Sequence, residues 1–325
     1  MTQSKGYSVE TIFLHYPELA LGRPATPSVV AIGMFDGIHQ GHRAVIAQAK
    51  AIAAREGLPC VVFTFVGHPR AVLRPDYPVP LLTTWEEKQA LLAELGVDLV
   101  IGAHFTPAFS AIDAREFIRR ILAEQLAARH VVVGYNFAFG HQQSGNVDTL
   151  QALGPDHGFA VTVVPPCTDD GAPVSSSRIR KLLATGHVEE ANRLLGRAYT
   201  LSGLVVKGDQ RGRLLGFPTA NVAADPQKLL PAYGVYAGHA RWDGHSNPCV
   251  VNLGMRPTFD PPQLRIEAHL LDYAGDLYDR TMTLELTHRL RPEQAFKSID
   301  ALVAQIRADV ARAGELLQGA GVPHS

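Results

Sequence analysis

The 325-residue chain is poor in cysteine and has almost no excess of charge of either sign. Its three cysteines, Cys60, Cys167 and Cys249, form no CxxC pair and no even set, which argues against structural disulfides and favours a reducing compartment. A formal net charge of −1 argues against a nucleic-acid-binding surface. We therefore expect the ligands to be small molecules.

The sequence also lacks an apolar run of membrane-spanning length, and residues 1–18 contain no continuous apolar core of the kind found in signal peptides. We expect a soluble, cytoplasmic protein that contacts no membrane. A length of 325 residues with 46% hydrophobic content is enough for two packed domains. Nothing in the sequence decides the oligomeric state.

The stretch GMFDGIHQGH, Gly33–His42, places two histidines three residues apart where a strand-like run gives way to a helical pattern. The apolar run Ser28–Phe35 predicts a buried strand, and Arg43–Glu56 carries apolar residues at helical spacing. His39 and His42 would then lie beside the unpaired N–H groups and the positive end of the helix dipole, where phosphate binds well.

Asp36 and Gly37 form the break between strand and helix, and Gly41 lets a phosphate approach the backbone. Two other interpretations are a capped helix with solvated histidines and a metal-binding pair. A helical zinc pair is usually spaced i, i+4 and needs further ligands, which do not stand nearby. The short pattern alone does not decide between phosphate binding and a simple helix cap.

Strand-like runs alternate with helix-like segments through the first half of the chain, which predicts a doubly wound parallel sheet. The predicted strands after Ser28–Phe35 are Cys60–Phe65, Asp98–Ile101, His130–Gly134 and Ala160–Val164, and the helices after Arg43–Glu56 are Trp85–Leu95, Ala114–Ala128 and Asn146–Gly154. Ligands bind such sheets outside the carboxyl ends of the strands. Three loops meet there: Gly33–His42, Thr64–Arg70 and Gly134–Gly140.

After two short helical pieces in Ser175–Gly196, the pattern changes to β-rich segments from Tyr199 to Leu290, followed by a helix from Pro292 to about Gly314. The change predicts a second domain, a small β-barrel. We place the boundary near Thr185–Tyr199, with a first domain of residues 8–184 and a second of residues 187–320.

The second domain carries its own motif, GDQRGRLLGFPTAN, Gly208–Asn221. It is not a Walker A sequence, since it has no Gly-Lys-Ser/Thr. Backbone N–H groups of its glycine-rich turn suit phosphate, and Thr219 and Asn221 offer neutral oxygen ligands to Mg²⁺. Taken alone, the segment fits a β-hairpin turn with a proline-directed bend slightly better.

The motifs together resemble the bacterial bifunctional riboflavin kinase/FAD synthetase family along nearly the whole chain. The first half is similar to its adenylyltransferase module through GMFDGIHQGH, LLTTWEEK, GYNFAFG and VSSSRIR. The second half is similar to its kinase module through GRLLGFPTAN, YGVYAG, VNLGMRPTF, IEAHLLDYAGDLY and FKSIDALVAQIRAD.

This resemblance implies a Rossmann-like nucleotidyltransferase domain followed by a β-barrel riboflavin kinase domain with a C-terminal helix. The second domain would phosphorylate riboflavin with ATP to FMN. The first would join FMN to AMP from a second ATP, giving FAD and pyrophosphate. The implied cofactor is Mg²⁺, and the implied ligands are ATP and the flavins riboflavin, FMN and FAD.

In the kinase step a ribityl hydroxyl attacks the γ-phosphoryl group, which needs a positioned carboxylate and a metal. Glu267 of IEAH matches the family's base, and Thr219 and Asn221 would hold Mg²⁺. Alternatively, Glu267 is an outward polar residue on an amphipathic strand, with Ile266 and Ala268 facing inward.

In the adenylyl step the attacking FMN phosphate is already ionised, so that preorganised donors at the α-phosphate matter most. His39 and His42 would donate there, and Arg180 matches the arginine that the family places against the nucleotide phosphates. A plain N-cap explains one serine of the SSSRIR segment but not three. The full set of residues assigned to ATP or flavin binding is Gly33, Phe35, Asp36, Gly37, Gly41, Asn136, Ser175, Ser176, Ser177, Gly212, Arg213, Gly216, Phe217, Pro218 and Asn252.

The chain departs from the family pattern at a few positions. Val66-Gly67 replaces an acidic residue and proline, Ala138 a polar or basic residue, Ser177 a threonine and Asp279 a glycine. Two alternatives to the bifunctional enzyme are therefore a riboflavin kinase with a weakened adenylyltransferase domain and a flavin-binding sensor. Assay of FMN adenylylation separates the first alternative, and binding of riboflavin without consumption of ATP would identify the second.

Overall fold

The computed structural model describes residues 8–19, 21–22, 25–208, 212, 215–256 and 263–319. The chain divides into two compact units between Ser176 and Ser177. This division lies before the boundary region that the sequence pattern indicates. The domain limits of residues 8–184 and 187–320 stay a prediction.

The first unit is built on a six-stranded sheet in the order β1-β4-β3-β2-β5-β8, and each neighbouring pair is parallel. The six strands are β1 (Glu10–Leu14), β2 (Ser28–Ile32), β3 (Cys60–Val66), β4 (Leu99–His104), β5 (Ala128–Gly134) and β8 (Ala160–Val164). The doubly wound parallel sheet is thus confirmed. The edge strand β1 was not among the predicted strands.

Helices cover both faces of this sheet. The α-helices of this unit are α1 (Gln40–Glu56), α2 (Pro69–Leu73), which buries no residue, α3 (Trp85–Glu94), α4 (Pro107–Ser110), α5 (Ala114–Glu116) and α6 (Val147–Leu153). A π-helical segment, Phe117–Gln125, continues α5, so the helix-like segment predicted at Ala114–Ala128 is helical from Ala114 to Gln125. Its last predicted residue, Ala128, instead begins β5. Short 3₁₀ turns lie at His141–Gln143 and Pro155–His157, and two-residue strands form the pairs β6 (Ala138–Phe139) with β7 (Gly145–Asn146) and β9 (Thr168–Asp169) with β10 (Ala172–Pro173).

Helix α1 shows how the sequence pattern becomes a packed element. Its apolar residues recur at helical spacing and are buried against the sheet: Val45, Ile46, Ala49, Ile52 and Ala53. Gly57 ends the helix in the left-handed region at φ 65°, where glycine pays no steric penalty. The helix begins at Gln40 rather than at Arg43, because His39 caps its first turn.

The second unit contains a closed six-stranded barrel in the order β11-β12-β15-β14-β13-β16, with antiparallel neighbours. Its strands are β11 (Tyr199–Val206), β12 (Ala220–Ala224), β13 (Gly234–Trp242), β14 (His245–Arg256), β15 (Gln263–Leu270) and β16 (Thr281–Pro292). The predicted barrel is confirmed. Ile266 and Ala268 are buried, which assigns the alternating residues of β15 to the outer face.

Further helices in the described part of the chain are α7 (Ser176–Ala184), which spans the division between the units, α8 (Val188–Leu195) and α9 (Ile299–Gly319). The prediction that the last helix begins at Pro292 is wrong. Pro292 is the final residue of β16, paired with Gly234, and the helix starts only after the Ser298 hydroxyl caps the Ala301 N–H at 3.2 Å. Helix α9 packs on the outer face of β13 and β14.

Candidate active sites

Two stacked histidines mark the first candidate site, at the amino end of α1. The rings of His39 and His42 lie with their centroids 3.7 Å apart and their planes 16° from parallel. The His42 N–H donates to Nδ1 of His39 at 3.3 Å. Because Nδ1 accepts this bond, the proton of a neutral His39 is on Nε2, which is then a donor.

His42 is held neutral by its surroundings. Burial lowers its pKa well below the usual value, and the nearby His39 and Lys88 lower it further. Its Nδ1 is buried and has no hydrogen-bond partner within the part of the chain that the structure describes. A buried nitrogen without a partner, beside the positive end of a 17-residue helix, suits a ligand that brings oxygen atoms.

The loop before α1 has an unusual backbone. Phe35, Gly37 and Ile38 all have positive φ angles, of 45°, 85° and 38°, a region that costs energy for residues with a Cβ. Phe35 is only 1% exposed, contacts the His42 ring edge-on at 5.3 Å and covers Gly33. Phe35 is one of the predicted ligand residues, but its side chain belongs to the hydrophobic core that supports the loop.

Asp36, also a predicted ligand residue, is buried and holds this loop to a second one. Its Oδ1 accepts hydrogen bonds from the Leu82 N–H at 2.9 Å and the Thr83 N–H at 3.0 Å. The Thr83 hydroxyl in turn accepts from the Gly37 N–H at 3.1 Å. A Cβ at Gly41 would lie 3.2 Å from the His39 ring, so this position favours glycine. Gly37, Gly41 and Asp36 thus fix the shape of the loop that presents the histidines.

Lys88 lies beneath the same loop and was not predicted as a site residue. Its buried ammonium donates to the carbonyl oxygens of Met34 and Phe65, each at 3.0 Å, and lies 3.5 Å from the Thr64 hydroxyl. It therefore ties Met34, which follows β2, and the end of β3 to α3. Burial lowers its pKa to about 8, against an opposing effect of Asp36.

The serines of the SSSRIR segment have different surroundings. The Ser176 hydroxyl donates to the Asp36 carbonyl at 2.9 Å, which joins the start of α7 to the histidine loop. Ser175 precedes α7 and is partly buried, while Ser177 is exposed. Arg180 is partly buried on α7, in the second unit, and its contact with nucleotide phosphates stays a prediction.

The loop after β5 carries Asn136, which is exposed. Phe137 packs against the core and Phe139 is buried in it, their rings stacked 5.5 Å apart, so both act as core residues. The departure at Gly67 has a conformational consequence: its φ of 74° lies outside the range that proline adopts. The backbone of this loop therefore takes a course that a proline at the same position would prevent.

Cys167 also lies beside the histidine loop. It is partly exposed, and its thiol is 3.6 Å from Oε1 of Gln40, the first residue of α1. A Cβ at Gly41 would lie 3.9 Å from the Cys167 Cβ. A reagent on this thiol therefore reports on the amino end of α1.

The second candidate site is a row of three polar residues across neighbouring barrel strands. Glu267 of β15 lies directly opposite Asn221 of β12 on one side and opposite Asn252 of β14 on the other. Directly opposed residues of antiparallel strands point to the same face, with Cβ atoms about 4.5–5.5 Å apart. The three predicted residues are thus brought together, on the outer face of the barrel.

Glu267 therefore points outward, as the alternative interpretation also expected, but it does so between two amides. Its carboxylate is one-fifth exposed and accepts from Arg265 Nη1 at 3.0 Å through Oε1. The pairing with Arg265 leaves the carboxylate a second oxygen for a hydroxyl group.

The turn before β12 presents Thr219. Gly212 accepts hydrogen bonds from the N–H groups of Leu215 at 3.1 Å and Phe217 at 2.8 Å, and a Cβ on Gly212 would lie 2.4 Å from the Phe217 oxygen. Gly216 is in the left-handed region at φ 86° and therefore favours glycine. Pro218 is exposed and Thr219 partly buried. Arg213, also predicted, lies outside the described residues.

Asp279 retains the turn that a glycine would form. Its φ of 61° is left-handed, a conformation that aspartate tolerates better than most residues, and its N–H donates to the Val205 carbonyl at 3.0 Å. Asp279 therefore holds a left-handed turn conformation of the kind that glycine readily adopts.

The donor set near Asn221 suits a cation that also binds phosphate. Among the described residues, no group of three or more His, Cys, Asp or Glu side chains is placed to hold a metal. Mg²⁺ needs no such cage, since it keeps several waters and binds one or two protein groups together with nucleotide phosphates. The Thr219 hydroxyl, the Asn221 amide oxygen and the Glu267 carboxylate are oxygen donors of this kind.

Comparison with known proteins decides the family. A family model described as FAD synthetase matches residues 23–178, and one described as riboflavin kinase matches residues 195–317. The bifunctional riboflavin kinase/FMN adenylyltransferase of Listeria monocytogenes is 38% identical over 303 residues, covering 93% of this chain and 96% of that protein. The chain belongs to the bifunctional riboflavin kinase/FMN adenylyltransferase family.

Other members of the bifunctional riboflavin kinase/FMN adenylyltransferase family are similarly related. The Pseudomonas fluorescens enzyme is 39% identical and the Escherichia coli K12 enzyme 38%, covering 89% and 90% of this chain and 92% and 93% of theirs. A crystal structure described as a macrolide-efflux protein from Streptococcus pneumoniae aligns with a TM-score of 0.85 at 31% identity, covering 94% of this chain and 99% of that one.

Searched over the described residues, the structure has no helix with both the length and the apolar character needed to cross a bilayer.

Proposed function

We propose that this chain converts riboflavin to FMN at the outer face of the barrel, and FMN to FAD at the amino end of α1, with ATP as the co-substrate of both steps. The observation that carries the kinase assignment is the placement of Glu267 between Asn221 and Asn252. The observation that carries the adenylyltransferase assignment is the stacked pair His39 and His42, with a buried unpartnered nitrogen on His42.

In the kinase step the terminal ribityl hydroxyl of riboflavin attacks the γ-phosphorus of ATP. A new O–P bond forms, ADP leaves, and the hydroxyl proton passes to a Glu267 carboxylate oxygen as general base. Asn221 and Asn252 flank this carboxylate, and its ion pair to Arg265 orients it. The proton transfer requires the hydroxyl to reach within about 3 Å of the carboxylate.

Thr219 and Asn221 are the residues that would hold Mg²⁺, as their oxygen donors fit a hard cation. Bound there, Mg²⁺ would supply positive charge to offset the negative charge of the ATP phosphates. The remaining ligands would be water and phosphate oxygens.

In the adenylyl step a phosphate oxygen of FMN attacks the α-phosphorus of ATP, and pyrophosphate leaves. No strong base is needed, because the FMN phosphate is already ionised at neutral pH. His39 donates from Nε2, since its Nδ1 accepts the His42 N–H. His42 and the positive amino end of α1 add to this stabilisation of the crowded α-phosphate. Arg180 would add a positive charge.

The three free cysteines and the use of ATP support a cytoplasmic location. The partners are then ATP and flavins, and no macromolecular partner is required for either reaction.

The test is a product assay. The protein is incubated with riboflavin, Mg²⁺ and ATP, and the flavins are separated chromatographically over time. We expect FMN to appear first and FAD to follow. FMN that accumulates without FAD would instead favour a kinase with an inactive first unit, and riboflavin bound without consumption of ATP would favour a flavin-binding sensor.

A further inference from the structure

His269 lies on the same strand and the same face as Glu267, two residues further along β15. Its Nδ1 is 2.9 Å from the carbonyl oxygen of Pro218. A carbonyl oxygen only accepts hydrogen bonds, so Nδ1 of His269 carries a proton and donates it. The kinase mechanism above gives this residue no role.

The hydrogen bond of His269 occurs where backbone pairing stops. Strands β12 and β15 are paired at Ala220 with Ala268 and at Asn221 with Glu267. Thr219 and Pro218 precede this paired segment, and Pro218 has no N–H to donate to a neighbouring strand. The His269 side chain therefore ties the residues just before β12 to β15.

A second contact joins His269 to the same turn. The Phe217 ring meets the His269 ring edge-on, with centroids 5.5 Å apart and planes 78° from parallel. The two contacts differ chemically, since one needs an N–H donor and the other needs an aromatic ring. Substitutions can therefore remove them one at a time.

We propose that His269 is a positioning residue of the kinase site, which sets the place of Thr219 relative to Glu267 through the Pro218 carbonyl. The inference rests on the proposed kinase function of these residues. Thr219 is held by strand pairing on its C-terminal side and by the His269 bond on its N-terminal side. A displacement of about 1 Å in a reacting constellation can cost on the order of 100-fold in rate.

The experiment compares His269→Asn, His269→Phe and His269→Ala in the full-length chain. Asparagine retains an N–H donor near the position of Nδ1, whereas phenylalanine retains the ring and removes the donor. We expect kcat for riboflavin phosphorylation to fall about 10- to 100-fold in the Phe and Ala variants. The Asn variant keeps kcat within about threefold of the wild type, and KM for riboflavin changes little in all three.

A readout other than turnover separates positioning from loss of structure. Calorimetric titration with ADP and Mg²⁺ should give weaker binding to the Phe variant than to the Asn variant. FMN adenylylation should be unchanged in each, and Cys249, fully buried on β14, should stay protected from thiol reagents. His245→Asn and His245→Phe serve as matched controls, since His245 is exposed on β14 and stacks on Trp242.

A Phe variant as active as the wild type, or an Asn variant as impaired as the Phe variant, would overturn the proposal. If the Phe variant exposes Cys249, the kinase activities of the Asn and Ala variants test the proposal instead. Equal activities would contradict the role of the N–H donor. An active Asn variant and an impaired Ala variant would support it. A wild-type chain that makes no FMN would refute the proposed kinase function itself. Failure of the positioning role alone would leave the wild-type chain active.

Discussion

Asn221 and Glu267 lie directly opposite each other on β12 and β15, so that an amide and a carboxylate share the outer face of the barrel. These residues are 46 positions apart in the chain, and only the pairing of the two strands brings them together. The kinase account depends on this pair: the carboxylate takes the proton, and the amide helps to hold the metal and the nucleotide.

The first prediction concerns the carboxylate. Glu267→Gln should lower kcat for riboflavin phosphorylation about 10²- to 10⁴-fold, because glutamine keeps the shape of the side chain but cannot accept the ribityl proton. KM should change much less. FAD synthesis from supplied FMN should be unaffected and serves as the control. A fully active Glu267→Gln kinase would exclude this base, and Asp272 and Asp276 would be tested next.

The second prediction separates two roles of His39, which caps α1 and is proposed to donate to the α-phosphate. His39→Ala should lower FMN adenylylation by about 10²- to 10³-fold and leave riboflavin phosphorylation nearly intact. His39→Asn restores the cap, as asparagine is a good N-cap residue. If the donor matters, the Asn variant regains stability but not full activity. Recovery of both would assign His39 a capping role alone.

A third prediction uses Cys167 as a reporter of nucleotide binding. ATP bound at the amino end of α1 should slow alkylation of this thiol several-fold, because the thiol lies 3.6 Å from Gln40. Cys60 and Cys249 are buried, burial raises the pKa of each thiol to about 12, and both should stay unmodified in the same sample. Mass spectrometry resolves the three sites. If saturating ATP leaves the rate of Cys167 alkylation unchanged, that result would argue against a nucleotide site there.

The fourth prediction concerns pH. The pKa of Lys88 is about 8 in the folded chain, and 10.5 is its ordinary value. Between these values the unfolded chain binds a proton that the folded chain has lost, so that this residue makes the first unit more stable as pH rises from 8 to 10.5. The full effect is on the order of 3 kcal/mol.

To measure it, pulse labelling of Cys60 in increasing urea reports unfolding of the first unit at pH 7.5 and 9.5. The stability of the wild type relative to Lys88→Met should be greater at the higher pH. Labelling of Cys249, in the other unit, is the internal control. Parallel pH dependences in the two proteins would show that Lys88 does not titrate in this range.

A fifth prediction addresses the domain boundary. A fragment that begins at His187 should phosphorylate riboflavin without making FAD, as the sequence pattern indicates. A fragment that begins at Ser175 should do the same with higher thermal stability, because it keeps the buried Leu183, whose carbonyl accepts the Ala232 N–H at 2.8 Å. Equal melting temperatures would contradict this contribution, and FAD synthesis by either fragment would contradict the division of activities.

The sequence predicted the parts of the site that local pattern encodes. The change from strand to helix in the sequence indicates His39, Gly41 and His42. The family motifs indicate Thr219–Asn221 and Glu267. Lys88 and His269 are not predicted from the sequence because their partners are the backbone carbonyls of Met34 and Pro218. Every residue has a backbone carbonyl, so the residue types do not show which one a side chain binds.

The element errors have similar causes. The predicted start of the last helix at Pro292 is wrong because pairing with Gly234 keeps this residue in β16. Strand β1 was missed because only Leu14 among its residues is fully buried and the strand lies at the sheet edge. Tertiary pairing decided both cases.

The central claim is that the two reactions use separate residues in one chain, and mixing two inactive variants tests it most directly. With riboflavin, ATP and Mg²⁺, Glu267→Gln alone should make very little flavin nucleotide, and His39→Ala alone should accumulate FMN with very little FAD. An equimolar mixture should make FAD, since FMN released by His39→Ala is adenylylated by Glu267→Gln. A mixture of folded variants that makes no FAD, although Glu267→Gln converts supplied FMN and His39→Ala releases FMN, would contradict the account.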